Sequence, residues 1–316
     1  MNKTDDAGRT LVLPDGSRAW LYAWLPATPP KAVVQIAHGM AEHAGRYARL
    51  AAKLNAAGYA VYAQDLPGHG RTAASIAALG HVADHGSWPL MLSAVNGVRA
   101  YIEQMHPGLP LVLFGHSMGS FIAQQHLVEH GAGLAAAVLS GTSGSLGALR
   151  AVGLALNRTQ VRLFGPEHRS ALTEALTFKA FNGAFKPNRT ACDWLSRDTA
   201  EVDAYVADPY CGFRCSAALW AGLLQAGGSL LDAQRLARIP KALPVLLVSG
   251  STDPVCAGGQ GTHLLAEHYR KTGLGDVTTL VYEGARHELL NETCREVVTS
   301  DLLEWLDERL QEKAVM

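Results

Sequence analysis

A serine flanked by glycines stands directly after a strongly apolar segment. Leu111–Phe114 runs into Gly115-His116-Ser117-Met118-Gly119. After a buried strand, this Gly-x-Ser-x-Gly spacing puts the serine on a sharp strand-to-helix turn that lifts its hydroxyl clear of the sheet. Side chains at the two glycine positions would collide with neighbouring backbone on such a turn. The pattern therefore predicts Ser117 as a nucleophile.

A serine hydroxyl reacts readily only when a base takes its proton and an acid orients that base. The apolar strand Val245–Val248 is followed by Asp253, and the strand Val277–Tyr282 is followed by His287. Both residues are therefore expected in loops at the same edge of the sheet as Ser117. Their order along the chain, serine then acid then histidine, is the order typical of this kind of sheet.

The chain also holds competing candidates for the base and the acid, since it has 13 histidines. His116 adjoins the serine, but its side chain should point away from the hydroxyl on so tight a turn. His81 and His85 have the spacing of a helical metal pair, yet glycines bracket them and no third ligand is spaced nearby, so no metal is expected. The others are interpreted as packing, surface or insert residues: His126, His263, His268, Asp203, Asp208 and Asp276.

Attack on a carbonyl also requires donors for the oxyanion that forms. The backbone N–H of Met118, directly after the nucleophile, is one expected donor. The second is expected from the loop after the strand Ala32–Ala37, which begins His38-Gly39-Met40. Gly39 allows the backbone to turn so that the N–H of Met40 faces the serine.

Short apolar runs alternate with amphipathic stretches along most of the chain, which favours a mostly parallel sheet with crossover helices on both faces. A hairpin around Pro14-Asp15-Gly16 is expected at the sheet edge. Gly58 is placed to end a helix over about 45–57, and Ser87 to cap one that runs to about Met105. The remaining predicted strands are Tyr59–Ala63 and Ala136–Leu139.

No strand is predicted over residues 141–242, where the pattern is mostly helical and rich in bulky apolar residues. We expect residues 1–140 and 243–316 to form the core and 141–242 to form a helical cap over the strand ends, where open α/β sheets bind ligands. Some apolar residues of this insert could instead touch a lipid surface, although packing within the insert is the favoured interpretation: Leu146, Leu149, Val152, Leu154 and Leu156.

Composition excludes several classes of protein. The 316 residues carry a formal net charge of −1 and no long like-charge block, so nucleic-acid binding is not expected. The N-terminus lacks the apolar stretch of a secretory signal, and no apolar run is long enough to cross a bilayer. Five cysteines without a C-x-x-C pair indicate a reducing, cytoplasmic setting, with pairing of Cys211 and Cys215 left open.

Five segments together resemble the monoglyceride lipase and lysophospholipase group of serine α/β-hydrolases, often labelled serine aminopeptidase-like. They lie on both sides of the insert, in order, at 38–47, 65–72, 115–119, 250–255 and 284–288. The resemblance implies an α/β-hydrolase fold, a Ser117–His287–Asp253 triad, oxyanion donors at Met40 and Met118, and a cap over an acyl-chain pocket. One departure is Ser120, where many relatives carry a second glycine.

The expected activity is metal- and cofactor-free hydrolysis of a monoacylglycerol- or lysophospholipid-like ester through an acyl-enzyme. Two other enzymatic interpretations remain open, a small-ester carboxylesterase and a serine aminopeptidase. The aminopeptidase would need an acidic group for the substrate α-amine, with Glu42, Asp203 and Asp208 as candidates. A catalytically silent receptor or interaction protein on the same scaffold is the non-enzyme alternative, although such proteins usually lose a triad member.

Overall fold

The computed structural model describes residues 8–147 and 150–315. Its described residues form one eight-stranded sheet in the order β1-β2-β4-β3-β5-β6-β7-β8. The strands are β1 Arg9–Val12, β2 Arg18–Trp24, β3 Ala32–Ala37, β4 Tyr59–Gln64, β5 Leu111–His116, β6 Leu134–Ser140, β7 Val245–Gly250 and β8 Val277–Tyr282.

The sheet is antiparallel at one edge and parallel elsewhere. β1 and β2 form the predicted hairpin, β2 pairs antiparallel with β4, and every pairing from β4 to β8 is parallel. Consequently the carboxyl ends of β3, β5, β7 and β8 all lie at one edge of the sheet. The loops that follow these four strands carry Met40, Ser117, Asp253 and His287.

Helices cover both faces of the sheet, as the sequence predicts. Side chains of α1 and α11 share one buried cluster with one face of the strands, and side chains of α2, α3 and α10 share a second cluster with the other face. The helices are α1 Ala48–Ala56, α2 Ser87–Met105, α3 Met118–His130, α4 Arg150–Phe164, α5 Ala171–Leu176, α6 Phe178–Gly183, α7 Thr199–Ala207, α8 Ala217–Ala226, α9 Ala233–Leu236, α10 Gln260–Lys271 and α11 Arg295–Val315.

Local details differ from the sequence expectations at two helix starts. The first helix begins with a 3-10 turn over Ala44–Tyr47 before α1. Ser87 is not the cap of α2 but its first residue; Gly86, with φ of 69°, precedes it. Glycine is favoured there because a side chain makes the left-handed conformation costly. Gly58, with φ of 86°, follows α1 as expected.

The helices α4 to α9 lie between β6 and β7 and pack against the core. Leu219, Trp220 and Leu223 of α8 share a buried cluster with Met118 and Phe121 of α3. A smaller cluster is built around Trp194, Leu195 and Tyr205 of the insert, and Val255 of the core packs against it. The residues considered for lipid contact differ in exposure: Val152 is exposed, Leu154 and Leu156 are half-buried, Leu146 packs against the core, and Leu149 lies outside the described residues.

Among the described residues, no helix combines the length and the apolar character that a membrane crossing requires.

Candidate active site

Ser117 occupies the turn between β5 and α3 in a strained conformation. Its φ of 52° and ψ of −121° lie outside the regions that non-glycine residues normally adopt. A Cβ at Gly115 would lie 2.5 Å from the carbonyl oxygen of Gly119, and one at Gly119 would lie 2.1 Å from the carbonyl oxygen of Ala37. The two glycines are therefore needed for the close packing that fixes this turn.

The structure brings together the three side chains that sequence analysis singled out. His287 Nε2 lies 2.8 Å from Ser117 Oγ, and His287 Nδ1 lies 2.9 Å from Asp253 Oδ2. Because an ionised carboxylate only accepts hydrogen bonds, the imidazole proton sits on Nδ1 and Nε2 is free to accept the serine proton. Asp253 is fully buried, and its other oxygen accepts a 2.8 Å bond from the N–H of Val255.

The charges in this arrangement favour an ionised acid and a more basic histidine. Burial alone would lower the pKa of His287, but the neighbouring Asp253 carboxylate raises it above its ordinary value. Burial alone would raise the pKa of Asp253, but His287 lowers it below its ordinary value. The pair is therefore suited to hold a proton on the imidazole while the carboxylate stays ionised.

Hydrogen bonds of His38 fix the loop after β3, which lies against Ser117. Leu66 N–H donates to His38 Nε2, so His38 is protonated on Nδ1 and donates from it to the Gly39 carbonyl at 2.7 Å. In a trans peptide the N–H points opposite to the C=O, so the N–H of Met40 is directed away from His38. Gly39 lies against the serine: a Cβ built on it would be 3.1 Å from Ser117 Cβ.

Met118 supplies the other expected donor. It is the first residue of α3, where backbone N–H groups have no acceptor within the helix. The partial positive charge of the helix N-terminus also favours negative charge at this point. The N–H groups of Met40 and Met118 thus come from the β3 loop and from the first residue of α3, both of which adjoin Ser117.

A buried ion network, which sequence analysis did not predict, links the loops after β3 and β8. Glu42 accepts a 2.6 Å bond from Gly39 N–H and pairs with Arg46 at 2.6 Å. Arg46 also forms a two-pronged pair with Glu288, at 2.7 and 2.6 Å. Burial alone would raise the pKa of both carboxyls, but Arg46 lowers them. Glu288 follows His287, so the network couples the two loops.

A cavity of about 100 Å³ lies between these loops and the insert. Its walls include the serine, the histidine and Met40 on the core side, and mostly apolar or aromatic side chains with a few charged ones from the insert: Glu174, Phe178, Lys179, Cys192, Trp194, Leu195 and Tyr205. The insert is bonded to the β3 loop, because Tyr205 OH and Gly212 N–H both donate to the Ala41 carbonyl, at 2.8 and 2.9 Å.

The competing histidines and acids have other partners or lie away from the serine. His116 contacts Ser140 Oγ at 3.3 Å, and burial lowers its pKa to about 4, so it is neutral. Asp203 pairs with Arg189, Asp208 with His43, and Asp276 with Arg309. Within helices, His126 is buried in α3, and His263 and His268 lie in α10.

Two groups of side chains in the described residues have atoms close enough to share a metal ion. In the first, His43 accepts a bond from Gly45 N–H at Nδ1, so Nε2 carries the proton that faces Asp208 and cannot ligate. The second joins His81 to Asp84 and Glu167, two well exposed carboxylates, as an ordinary ion-pair cluster. His81 and His85 lie outside any helix, so their i, i+4 spacing does not place them on one helical face.

Ser120, the departure from the family pattern, is fully buried behind the nucleophile. Its hydroxyl hydrogen-bonds the Ser117 carbonyl at 2.6 Å and the Thr142 hydroxyl at 2.9 Å. The extra polar atom is therefore satisfied within the first turn of α3 and does not disturb the turn.

The family model of "Serine aminopeptidase, S33" matches residues 28–294. Among characterised proteins, the chain is 32% identical to "Monoacylglycerol lipase" of Mycolicibacterium smegmatis, covering 92% of this chain and 93% of that protein. It is 31% identical to human "Monoglyceride lipase", covering 95% of this chain and 90% of that protein.

Solved structures agree with this relationship. A thermostable carboxyl esterase from Bacillus coagulans, crystallised with glycerol, superposes with a TM-score of 0.88 at 26% identity, over 96% of this chain and 98% of that one. Monoacylglycerol lipase from Paleococcus ferrophilus gives a TM-score of 0.69 at 25% identity, over 92% of this chain and 99% of that one. The chain is thus a serine ester hydrolase with the α/β-hydrolase fold. It belongs to the serine aminopeptidase S33 family.

Proposed function

We propose that this enzyme hydrolyses monoacylglycerol-like esters through an acyl-enzyme on Ser117, with His287 as base, Asp253 as its orienting acid, and the N–H groups of Met40 and Met118 as oxyanion donors. The observation that carries the proposal is the 2.8 Å contact between His287 Nε2 and Ser117 Oγ, continued at 2.9 Å to Asp253. The lipases and esterases among its relatives support the choice of an ester.

In the first half-reaction, His287 takes the Ser117 proton as Oγ attacks the ester carbonyl. The oxyanion forms opposite two backbone N–H groups, which are fixed before the reaction and cost no reorganisation. The tetrahedral intermediate collapses, and the alcohol leaves with the proton held on Nε2. In the second half-reaction, His287 takes a proton from water, the hydroxide attacks the acyl carbonyl, and the carboxylic acid leaves as Ser117 recovers its proton.

The substrate class follows from the lining of the cavity. Aromatic and aliphatic side chains of the insert suit an acyl chain, and polar groups near the β3 loop suit a hydroxyl-bearing alcohol. The cavity volume of about 100 Å³ is small beside the roughly 300–1,000 Å³ of pockets that enclose drug-sized ligands. We therefore propose that the insert, residues 141–242, is a cap whose outer helices, α4 and α5, move outward to admit a longer chain.

A serine aminopeptidase is the less favoured alternative. It needs a free carboxylate near the serine to hold the substrate α-amine. Glu42 is already neutralised by Arg46, Asp208 is paired with His43, and Asp203 is paired with Arg189 at the surface. None of the three acids named from the sequence is therefore available for an amine.

The outer helices of the insert carry exposed apolar side chains that suit transient contact with a lipid surface. They are Val152, Leu163, Phe164, Leu172 and Leu176. The five cysteines are all unpaired, Cys211 and Cys215 included, which suits the reducing cytoplasm we propose as its location. Flotation of the protein with vesicles of monoacylglycerol and phospholipid tests the lipid contact, with retention in the pellet as the contrary result.

The proposal is tested by hydrolysis of a monoacylglycerol series and of p-nitrophenyl esters of increasing chain length. Ser117→Ala should lower kcat by roughly 10⁴- to 10⁶-fold, whereas Ser93→Ala, at an exposed position in α2, should leave it unchanged. A steep preference for acetate would favour the small-ester carboxylesterase. Cleavage of aminoacyl amides in place of esters would favour the peptidase, and no turnover of any ester would favour the silent scaffold.

A further inference from the structure

The imidazole of His287 is covered by an aromatic ring from the insert. The indole of Trp194 stacks on it with ring centroids 4.9 Å apart and an interplanar angle of 27°. Trp194 and His287 are both buried, with 6% and 1% of their surfaces exposed. The face of an indole carries partial negative charge, so it attracts a cation placed over it within about 6 Å.

The segment that carries Trp194 is fastened to the loop that carries His287. The N–H of Glu288 donates to the Leu195 carbonyl at 2.8 Å, and Arg286 donates to the Ser196 carbonyl at 3.0 Å. Arg197 pairs with Glu292 at 2.9 Å. These bonds hold the indole of Trp194 stacked on the imidazole of His287. Residues 195–197 are therefore bonded directly to the segment that carries His287.

Other groups around His287 act on its charge as well. Asp253 is bonded to it, Glu42 faces it from the β3 loop and Glu288 from its own loop, and His116 lies with its ring centroid 4.8 Å away. The three carboxylates favour the imidazolium, and neutral His116 neither attracts nor repels it appreciably. Among the described residues, two rings contact His287, that of His116 and that of Trp194. Only the uncharged indole of Trp194 comes from the insert.

We propose that Trp194 is a positioning residue for the hydrolysis: its indole face fixes the plane of the His287 imidazole and stabilises the imidazolium that forms while Ser117 is acylated. This inference rests on the proposed function, in which His287 becomes positively charged at that step. Part of the insert is then a permanent wall of the catalytic site as well as a cover for the substrate.

The direction of one pKa change separates this role from simple shielding. If Trp194 only excluded water, Trp194→Leu would hydrate His287, and hydration favours the charged form, so the pKa of His287 would rise. If the indole face stabilises the cation, the same substitution should lower that pKa. A cation–π contact at a desolvated site corresponds to a fall of about 0.5–1.5 pH units.

The experiment measures the pH dependence of kcat/KM for wild type, Trp194→Leu and Trp194→Phe, together with the titration of His287 by NMR of histidine-labelled protein. For Trp194→Leu we expect kcat to fall about 3- to 30-fold and the acid limb to move to lower pH by about 0.5–1.5 units. Trp194→Phe keeps an aromatic face, so its shift should be smaller. Phe213→Leu is the matched control, because Phe213 is another half-buried aromatic residue of the insert, packs on His69 at 5.4 Å and does not line the cavity.

The proposal would be overturned if the acid limb of Trp194→Leu stayed unchanged or moved to higher pH. An equal downward shift in Phe213→Leu would also overturn it. The NMR titration needs no turnover, so it reads the stacking contact even if the enzyme fails to hydrolyse esters. Failure of the proposed function would instead appear as full activity of Ser117→Ala, independently of any change at residue 194.

Discussion

Replacing Arg46 tests whether the buried ion network supports the site. Its guanidinium, 12% exposed, makes close contacts to Glu42 and Glu288, whose side chains are 4% and 7% exposed. Arg46→Met leaves two buried carboxylates without a counter-charge. Removing one partner of a buried ion pair typically costs about 3–5 kcal/mol of unfolding free energy. We expect a loss of this size at pH 8.

The loss should depend on pH in a defined direction. In the wild type, Arg46 holds the pKa of both carboxyls below their ordinary value. The two ionised carboxylates therefore stabilise the folded state fully above about pH 4.3, and this stabilisation is lost as the pH falls below that value. In Arg46→Met, unopposed burial should raise both pKa values, so destabilisation grows as the pH rises above about 4.3. The difference between the two proteins should therefore be larger at pH 8 than at pH 5.

Urea unfolding at both pH values measures this difference. Lys53→Met provides the control, because Lys53 also lies in the region of α1 and pairs at 2.8 Å with Glu296, with 49% and 67% of the side chains exposed. Exposed pairs contribute little, so this variant should resemble the wild type at either pH. A loss in Arg46→Met no greater than in Lys53→Met, or equal at pH 5 and pH 8, would refute the reasoning.

Three further outcomes follow from the geometry. Gly119→Ala should lower kcat at least about 100-fold, because its Cβ would lie 2.1 Å from the Ala37 carbonyl oxygen; Gly183→Ala, with open space around it, should have near wild-type kcat. On the acid side of the pH profile, kcat/KM should reach half of its maximum at a pH above 6.5, because the pKa of His287 is raised from that value. His38→Leu should lower kcat up to about 100-fold with little change in KM, measured by steady-state kinetics, since it frees the carbonyl next to an oxyanion donor.

The sequence predicts the sheet and the reacting side chains because both depend on local patterns. Strands β3 and β8 begin and end where their apolar runs do, at Ala32–Ala37 and Val277–Tyr282. Nucleophile, acid and base follow β5, β7 and β8, which are parallel, so the rule that parallel strands end at one edge is enough to bring them together. Glycines on both sides of Ser117 identify its turn through steric requirements alone.

The supporting contacts could not be predicted in the same way. Arg46 and Glu288 lie 242 positions apart, and nothing in either segment specifies the pairing. Glu42 and Arg46 do show a signal, the i, i+4 spacing of opposite charges. Trp194 lies in the insert, where helical periodicity gives the elements but not their placement on the core. Its contact with His287 depends on hydrogen bonds between irregular segments, and such segments have no repeating hydrophobic pattern from which the contact could be predicted.

The central claim is that Ser117 is reactive because His287 and Asp253 make it so. The most direct measurement is the rate of labelling by a fluorophosphonate, with the modified peptide identified by mass spectrometry, in wild type, His287→Gln and Asp253→Asn. We predict a single adduct on Ser117 in the wild type and labelling slowed by at least about 100-fold in both variants. An adduct on another residue, or equal rates in all three proteins, would contradict the account.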